Sequence, residues 1–319
     1  AARVWNLGVR GQDISELTAD PYEGKEKTLT AELTVEQLSL SGPRNVATAR
    51  DGSIYIADTG NNRVIHLSPE GDVLHTWGVS SGSEGESSET IRFNEPWGIA
   101  VGPGGSVYVA DTWNHRIQKF TAEGDFLLSW GQFGQQETSD TFWGPRDVAV
   151  DTDGHVYVSD TGNKRIAIFD SNGEFLQEFG GAGLGEGQLD EPVGLALDEN
   201  GNLYVADTWN QRVQVFEEDG NGIASVYKRE WEIDGWYGQS LDNKPYLTVA
   251  EDLVFISDPE ASRILAFSTE GEFLYYWGTF GAGENQFSLA TGLAADDEGG
   301  LWVSDTKNNR LMYFLPPEE

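Results

Sequence analysis

An aspartate that closes a β-run and an arginine five residues later recur six times along the chain: Asp58/Arg63, Asp111/Arg116, Asp160/Arg165, Asp207/Arg212, Asp258/Arg263 and Asp305/Arg310. Successive aspartates are 53, 49, 47, 51 and 47 residues apart. That period suits a four-stranded propeller blade and is too long for a helical hairpin or a leucine-rich turn. The sequence therefore predicts an all-β fold, a six-bladed β-propeller of four-stranded antiparallel blades.

The third copy shows the unit. Pro145 to Asp151 alternates as a first strand, and Asp153-Gly154 turns the chain, glycine accepting positive φ without a Cβ penalty. His155 to Asp160 mixes β-branched and aromatic residues as a packed strand does, Thr161 to Lys164 turns, and Arg165 to Phe169 runs back. Ser171-Asn172-Gly173 leads into an outer strand, Glu174 to Gly180.

The template places blades at about 42–78, 95–131, 144–180, 191–235, 244–278 and 290–315 within one domain, 1–319, with 9–41 as an acidic insertion. Copy six stops after its third strand. Arg3-Val4-Trp5-Asn6-Leu7-Gly8 is similar to the fourth-strand ending Leu127-Leu128-Ser129-Trp130-Gly131, so residues 1–8 are expected to complete the last blade and close the ring. Closure removes the free sheet edges of an open array.

The pattern (V/I)-Tyr-(V/I)-Ala-Asp-Thr-x-Asn-x-Arg after a proline-led strand, as in Ile54-Tyr55-Ile56-Ala57-Asp58-Thr59-Gly60-Asn61-Asn62-Arg63, resembles NHL repeats. The likeness is specific in copies one to four. It is weaker in copy five, Ser257-Asp258-Pro259-Glu260-Ala261-Ser262-Arg263, and copy six has Trp302 for the tyrosine. The resemblance implies the same six-bladed ring; such propellers include sensors, RNA binders, scaffolds and a few lyases and hydrolases, so fold does not name function.

A residue demanded by blade geometry recurs in every blade, whereas a functional residue need not. By that filter the Asp/Arg pairs are expected to be bidentate structural clasps. Trp5, Trp77, Trp130, Trp231, Trp277 and Trp302 occupy recurring core or seam positions. Trp97, Trp113, Trp143, Trp209 and Trp236 do not. All five fall in second-to-third-strand turns or in segments entering first strands, which share one face of the disc. Arg44, Arg146 and Tyr246 are expected beside them at the channel mouth. Flat apolar rings with a few polar anchors make a recognition surface for a protein, peptide or glycan. The segment 79–94, rich in Ser, Gly and Glu, reads as a flap beside it.

The formal net charge is −33, and so acidic a body disfavours nucleic-acid and anionic-membrane partners. No apolar run is long enough for a membrane-spanning helix, so direct membrane insertion is not expected. Cysteine is absent, which removes disulfides and thiolate chemistry. The start Ala1-Ala2-Arg3 suggests a chain processed from a longer, extracytoplasmic or secreted parent, with the propeller monomeric inside it. The histidines do not converge: His66 and His75 lie in the outer part of blade 1, His155 on the opposite face, and His115 alone on the aromatic face. Asn45 and Asp147 are the sole axial groups fit for a calcium site, and no Gly-x-Ser-x-Gly elbow occurs. The expectation is a binding propeller with no catalytic residue, metal or other cofactor. The alternative is a metal-assisted lyase or hydrolase at the channel.

Overall fold

The structure, a computed structural model, describes residues 20–36, 38–80, 91–135, 138–236 and 243–317. Six four-stranded antiparallel sheets form a ring. In blade 3 the strands are Asp147–Val150, Val156–Asp160, Arg165–Phe169 and Phe175–Gly180, from axis to rim. The second strand of every blade is buried throughout or nearly so, because both of its faces meet neighbouring blades.

An N-terminal strand does complete the last blade. It is Leu33–Val35, with Leu33 opposite Tyr313, Thr34 opposite Met312 and Val35 opposite Leu311. The slot assigned above to residues 1–8, which lie outside the described residues, is thus held by part of the segment 9–41. The preceding chain runs along the rim of blade 5. Tyr22 buries its ring against Phe267 and Phe273, and the Lys27 amide donates to the Tyr276 carbonyl. An aromatic anchor and alternating Leu-Thr-Val make this stretch structural despite its acidic composition. The ring is latched again nearer the axis, where the Thr306 hydroxyl donates to the Pro43 carbonyl at 2.7 Å.

Blade seams follow the repeat. The indole ending one blade's outer strand packs on the phenylalanine ending the next blade's third strand: Trp77 on Phe120, Trp130 on Phe169, Trp231 on Phe267 and Trp277 on Phe314, with centroids 5.7–6.1 Å apart. A turn glycine covers the Trp77 face. Gly124 has φ of +94°, and a Cβ there would lie 2.6 Å from the indole, so both backbone and space demand glycine.

The Asp/Arg pairs form in all six blades, but through one oxygen. Arginine Nε donates to aspartate Oδ2 at 2.6–2.9 Å. In five blades Oδ1 instead accepts a backbone amide of the incoming link: Ser41, Asn94, Trp143, Asp190 and Ser288. Each such aspartate ties a link to a turn, so bidentate pairing is replaced by a junction. In blade 5 Oδ1 of Asp258 has no partner.

Candidate functional site

The first strands line the axis, and the ring alternates there. In blades 2, 4 and 6 the first strand carries an irregularity at Trp97-Gly98, Val193-Gly194 and Thr291-Gly292. A Cβ on Gly98 would lie 2.5 Å from Asp147 Cα, on Gly194 2.7 Å from Tyr246 Cα, and on Gly292 2.4 Å from Asn45 Cα. Glycine therefore lets each of these strands press against the next, and blades 1, 3 and 5 fill the axis with Arg44-Asn45, Arg146-Asp147 and Tyr246. All five of those residues are buried.

Hydrogen bonds across the ring hold this plug. Asn45 Nδ2 donates to Asp147 Oδ1 at 3.0 Å, the Leu195 amide to Asp147 Oδ2 at 2.9 Å, and the Tyr246 hydroxyl to the Arg146 carbonyl at 3.1 Å. Complete burial pushes the Asp147 carboxyl up to about 8, against the opposing pull of the Leu195 and Val148 amides and Asn45. Burial likewise raises the Tyr246 phenol.

Above the plug, Trp97 gathers charge. The guanidinium carbons of Arg44 and Arg146 lie 4.2 and 4.0 Å from its ring centroid, and Arg146 also faces Trp113 at 5.8 Å. Burial lowers the Arg146 guanidinium to about 10; Arg44 adds to this, while Glu191 and Glu95 oppose it. Its Nε and Nη1 are buried without an acceptor. Trp113, half-buried, donates Nε1 to Glu95 Oε2 at 3.0 Å. On the other side Lys244, buried beneath the Trp209 ring at 5.3 Å, bonds Glu191 at 2.5 Å.

The structure divides the eight expected residues. Trp143 and Trp209 are 42% and 54% exposed on the face of the second-to-third-strand turns, with Trp113 between buried and exposed on the same face. Arg44, Arg146, Tyr246 and Trp97 join at the mouth, but hidden: Trp97 is 2% exposed, roofed by guanidinium groups, and Tyr246 is plug. Trp236 leaves the group altogether. It lies in the core between blades 4 and 5, donating Nε1 to the Ser257 carbonyl at 3.2 Å, because the link after the long outer strand Ala224–Glu232 turns inward. Lys244 was not anticipated. The signal was its register, since Glu95, Glu191 and Lys244 all immediately precede a strand-opening proline.

The histidines stand apart. His66 and His75 stack beside Tyr55 in blade 1, His155 pairs with Asp151 at 2.8 Å on the far face, and His115 accepts the Gly144 amide at Nδ1. Among the described residues no group of three or more His, Asp or Glu is placed to hold a metal ion. A polar groove of about 490 Å³ on the far face, between blades 4 and 5, is lined by Asp198, Glu199, Lys228, Arg229 and Asp252 and shares nothing with the mouth.

These features define a closed six-bladed propeller with a sealed, cationic upper mouth. The NHL repeat profile matches residues 93–120, 142–169 and 189–216, so three blades of this six-bladed propeller carry NHL repeats. Two curated relatives are similar over part of it: NHL repeat-containing protein 2 of Gallus gallus, 34% identical over 96 residues, and Protein brain tumor of Drosophila melanogaster, 45% over 47. Those stretches are 30% and 15% of this chain and 13% and 4% of the relatives' own lengths. Among solved structures, a gluconolactonase from Xanthomonas campestris aligns at 15% identity and TM-score 0.61, covering 93% of this chain and 99% of its own. A streptogramin B lyase aligns at 14% and 0.58, covering 88% and 97%. These two likenesses establish the fold alone. No helix among the described residues is long and apolar enough to cross a membrane.

Proposed function

We propose that this propeller is a non-catalytic recognition module that takes a protein or peptide segment on the face bearing Trp113, Trp143 and Trp209, within a larger protein. The supporting observation is the sorting of its tryptophans. Indoles at repeated positions pack into seams, whereas two of those outside the repeat, Trp143 and Trp209, stand 42% and 54% exposed on one face around the cationic mouth. Exposed aromatics beside fixed charges are the usual anchors of an interface. A glycan would use the same rings by stacking. A lyase or hydrolase, the activities named for the two structural neighbours, would require converging acid, base or metal-binding groups near the axis. Here the axis holds two guanidiniums, an amide and one carboxyl tied in a plug.

The test is selection from a random-peptide library, with a glycan array in parallel. Binders selected on the native chain are expected to lose the Trp113→Ala and Trp209→Ala double variant while its unfolding midpoint stays within the error of the native one. Equal binding to both proteins would place recognition elsewhere and end this reading.

A further inference from the structure

Arg44, Arg146 and Lys244 meet at the mouth, and the two described acids beside Arg146 and Lys244 are both engaged. Glu95 accepts from Trp113 and Glu191 from Lys244. Arg146 is 5% exposed, yet its Nε and Nη1 have no acceptor. Every arginine of the six repeated pairs has a carboxylate on Nε within 2.9 Å. An unmet buried donor is costly, the more so on a charged group. The two open donors of Arg146, Nε and Nη1, lie on different edges of the guanidinium plane, and each can take one carboxylate oxygen in a charge-assisted hydrogen bond.

From this geometry we infer that the mouth binds an isolated peptide carboxylate adjoining an apolar side chain, the carboxylate docking on Arg146 and the apolar group on the surrounding indoles. This inference rests on the recognition reading above and names its ligand chemistry. Trp113, held to Glu95 by one hydrogen bond, swings outward to admit the oxygens. The body's charge of −33 repels polyanions and leaves a single carboxylate on an apolar carrier as the compatible anion.

The experiment follows the tryptophan indole N–H signals of the ¹⁵N-labelled full chain by NMR during titration with N-acetyl-L-phenylalanine and, separately, its amide. The acid is expected to move the Trp97 and Trp113 signals and the amide to leave them in place. Arg146→Gln should weaken the acid at least about tenfold, as loss of a charge-assisted pair implies, with Arg146→Lys intermediate. The acid–amide contrast on the native chain needs no variant to fold. Equal effects of acid and amide, or no shift with either, would overturn the inference. So would tighter binding of D-glucuronate, inorganic phosphate or a short RNA oligonucleotide at the same indoles. Should library peptides bind through Trp209 with or without a carboxylate, and ignore Arg146→Gln, the recognition face stands and the carboxylate assignment falls.

Discussion

Arg165 and Arg146 belong to the same blade and are nearly equally hidden, 3% and 5% exposed, yet one is saturated with partners and the other is not. Arg165 donates Nε to Asp160 at 2.8 Å and Nη2 to the Thr141 carbonyl at 2.6 Å, and also meets Glu178. Arg146 rests on the Trp97 ring with two donors unmet. The first is written into every blade together with its acid. The second has no acid supplied by its own repeat. A buried cation that the repeat provides for is part of the frame, and one that it leaves short is available to something else.

The largest test of that contrast is stability. Asp160→Ala strands the Arg165 Nε and the Trp143 amide, removes one of the Asn163 Nδ2 bonds, and should cost about 3–5 kcal/mol, the range for breaking a buried pair. Arg146→Met removes a buried charge whose Nε and Nη1 have no acceptor and should change stability by less than about 1 kcal/mol. Denaturant unfolding of both variants checks this, and equal losses would dissolve the distinction.

A second effect comes from Asp147, an axial group outside the repeat that nevertheless bears on stability. Its carboxyl is pushed up to about 8 in the folded chain, above roughly 3.9 in the unfolded one. Between those values the folded state holds one proton more than the unfolded, so stability is greatest below the unfolded pKa, falls as pH rises, and levels off above about 8. The slope is at most about 1.4 kcal/mol per pH unit. Asp147→Asn should flatten this component, and comparing unfolding of variant and native chain from pH 5 to 8 cancels the general acidity of the body. A parallel pair of curves would contradict the burial argument.

Smaller again is the latch. Thr306→Val leaves the Pro43 carbonyl unpaired at the closing seam and should cost about 1–2 kcal/mol by thermal or chemical unfolding. Smallest of all is Trp209→Ala, a half-exposed ring outside the repeat, expected to shift stability by no more than about 0.5 kcal/mol. A collapse of the fold on that change would make Trp209 frame instead of face.

Much of this architecture was legible residue by residue. The Asp/Arg period located the second and third strands of all six blades, and the seam tryptophans and the need for N-terminal closure followed from the same register. The site was legible in part. Trp113, Trp143, Trp209, Arg44 and Arg146 share one face, as their turn and link positions imply. Trp236 looked the same in the sequence and is core, because the course of an irregular link depends on what it packs against. The alternation of Gly98, Gly194 and Gly292 with Asn45, Asp147 and Tyr246 was visible as letters; its meaning was not, since only contact across the axis turns it into a plug.

The sequence by itself determined the wheel: repeat spacing, strand alternation and turn glycines are local or nearest-neighbour properties, and each copy restates them. The tertiary structure alone decided which chain segment shuts the ring, which indoles are buried, and that Arg146 meets an indole and no acid. Those outcomes depend on residues about 50 to 280 positions apart meeting at the axis and the closing seam, where burial and unmet hydrogen bonds are set by neighbours that no single repeat specifies.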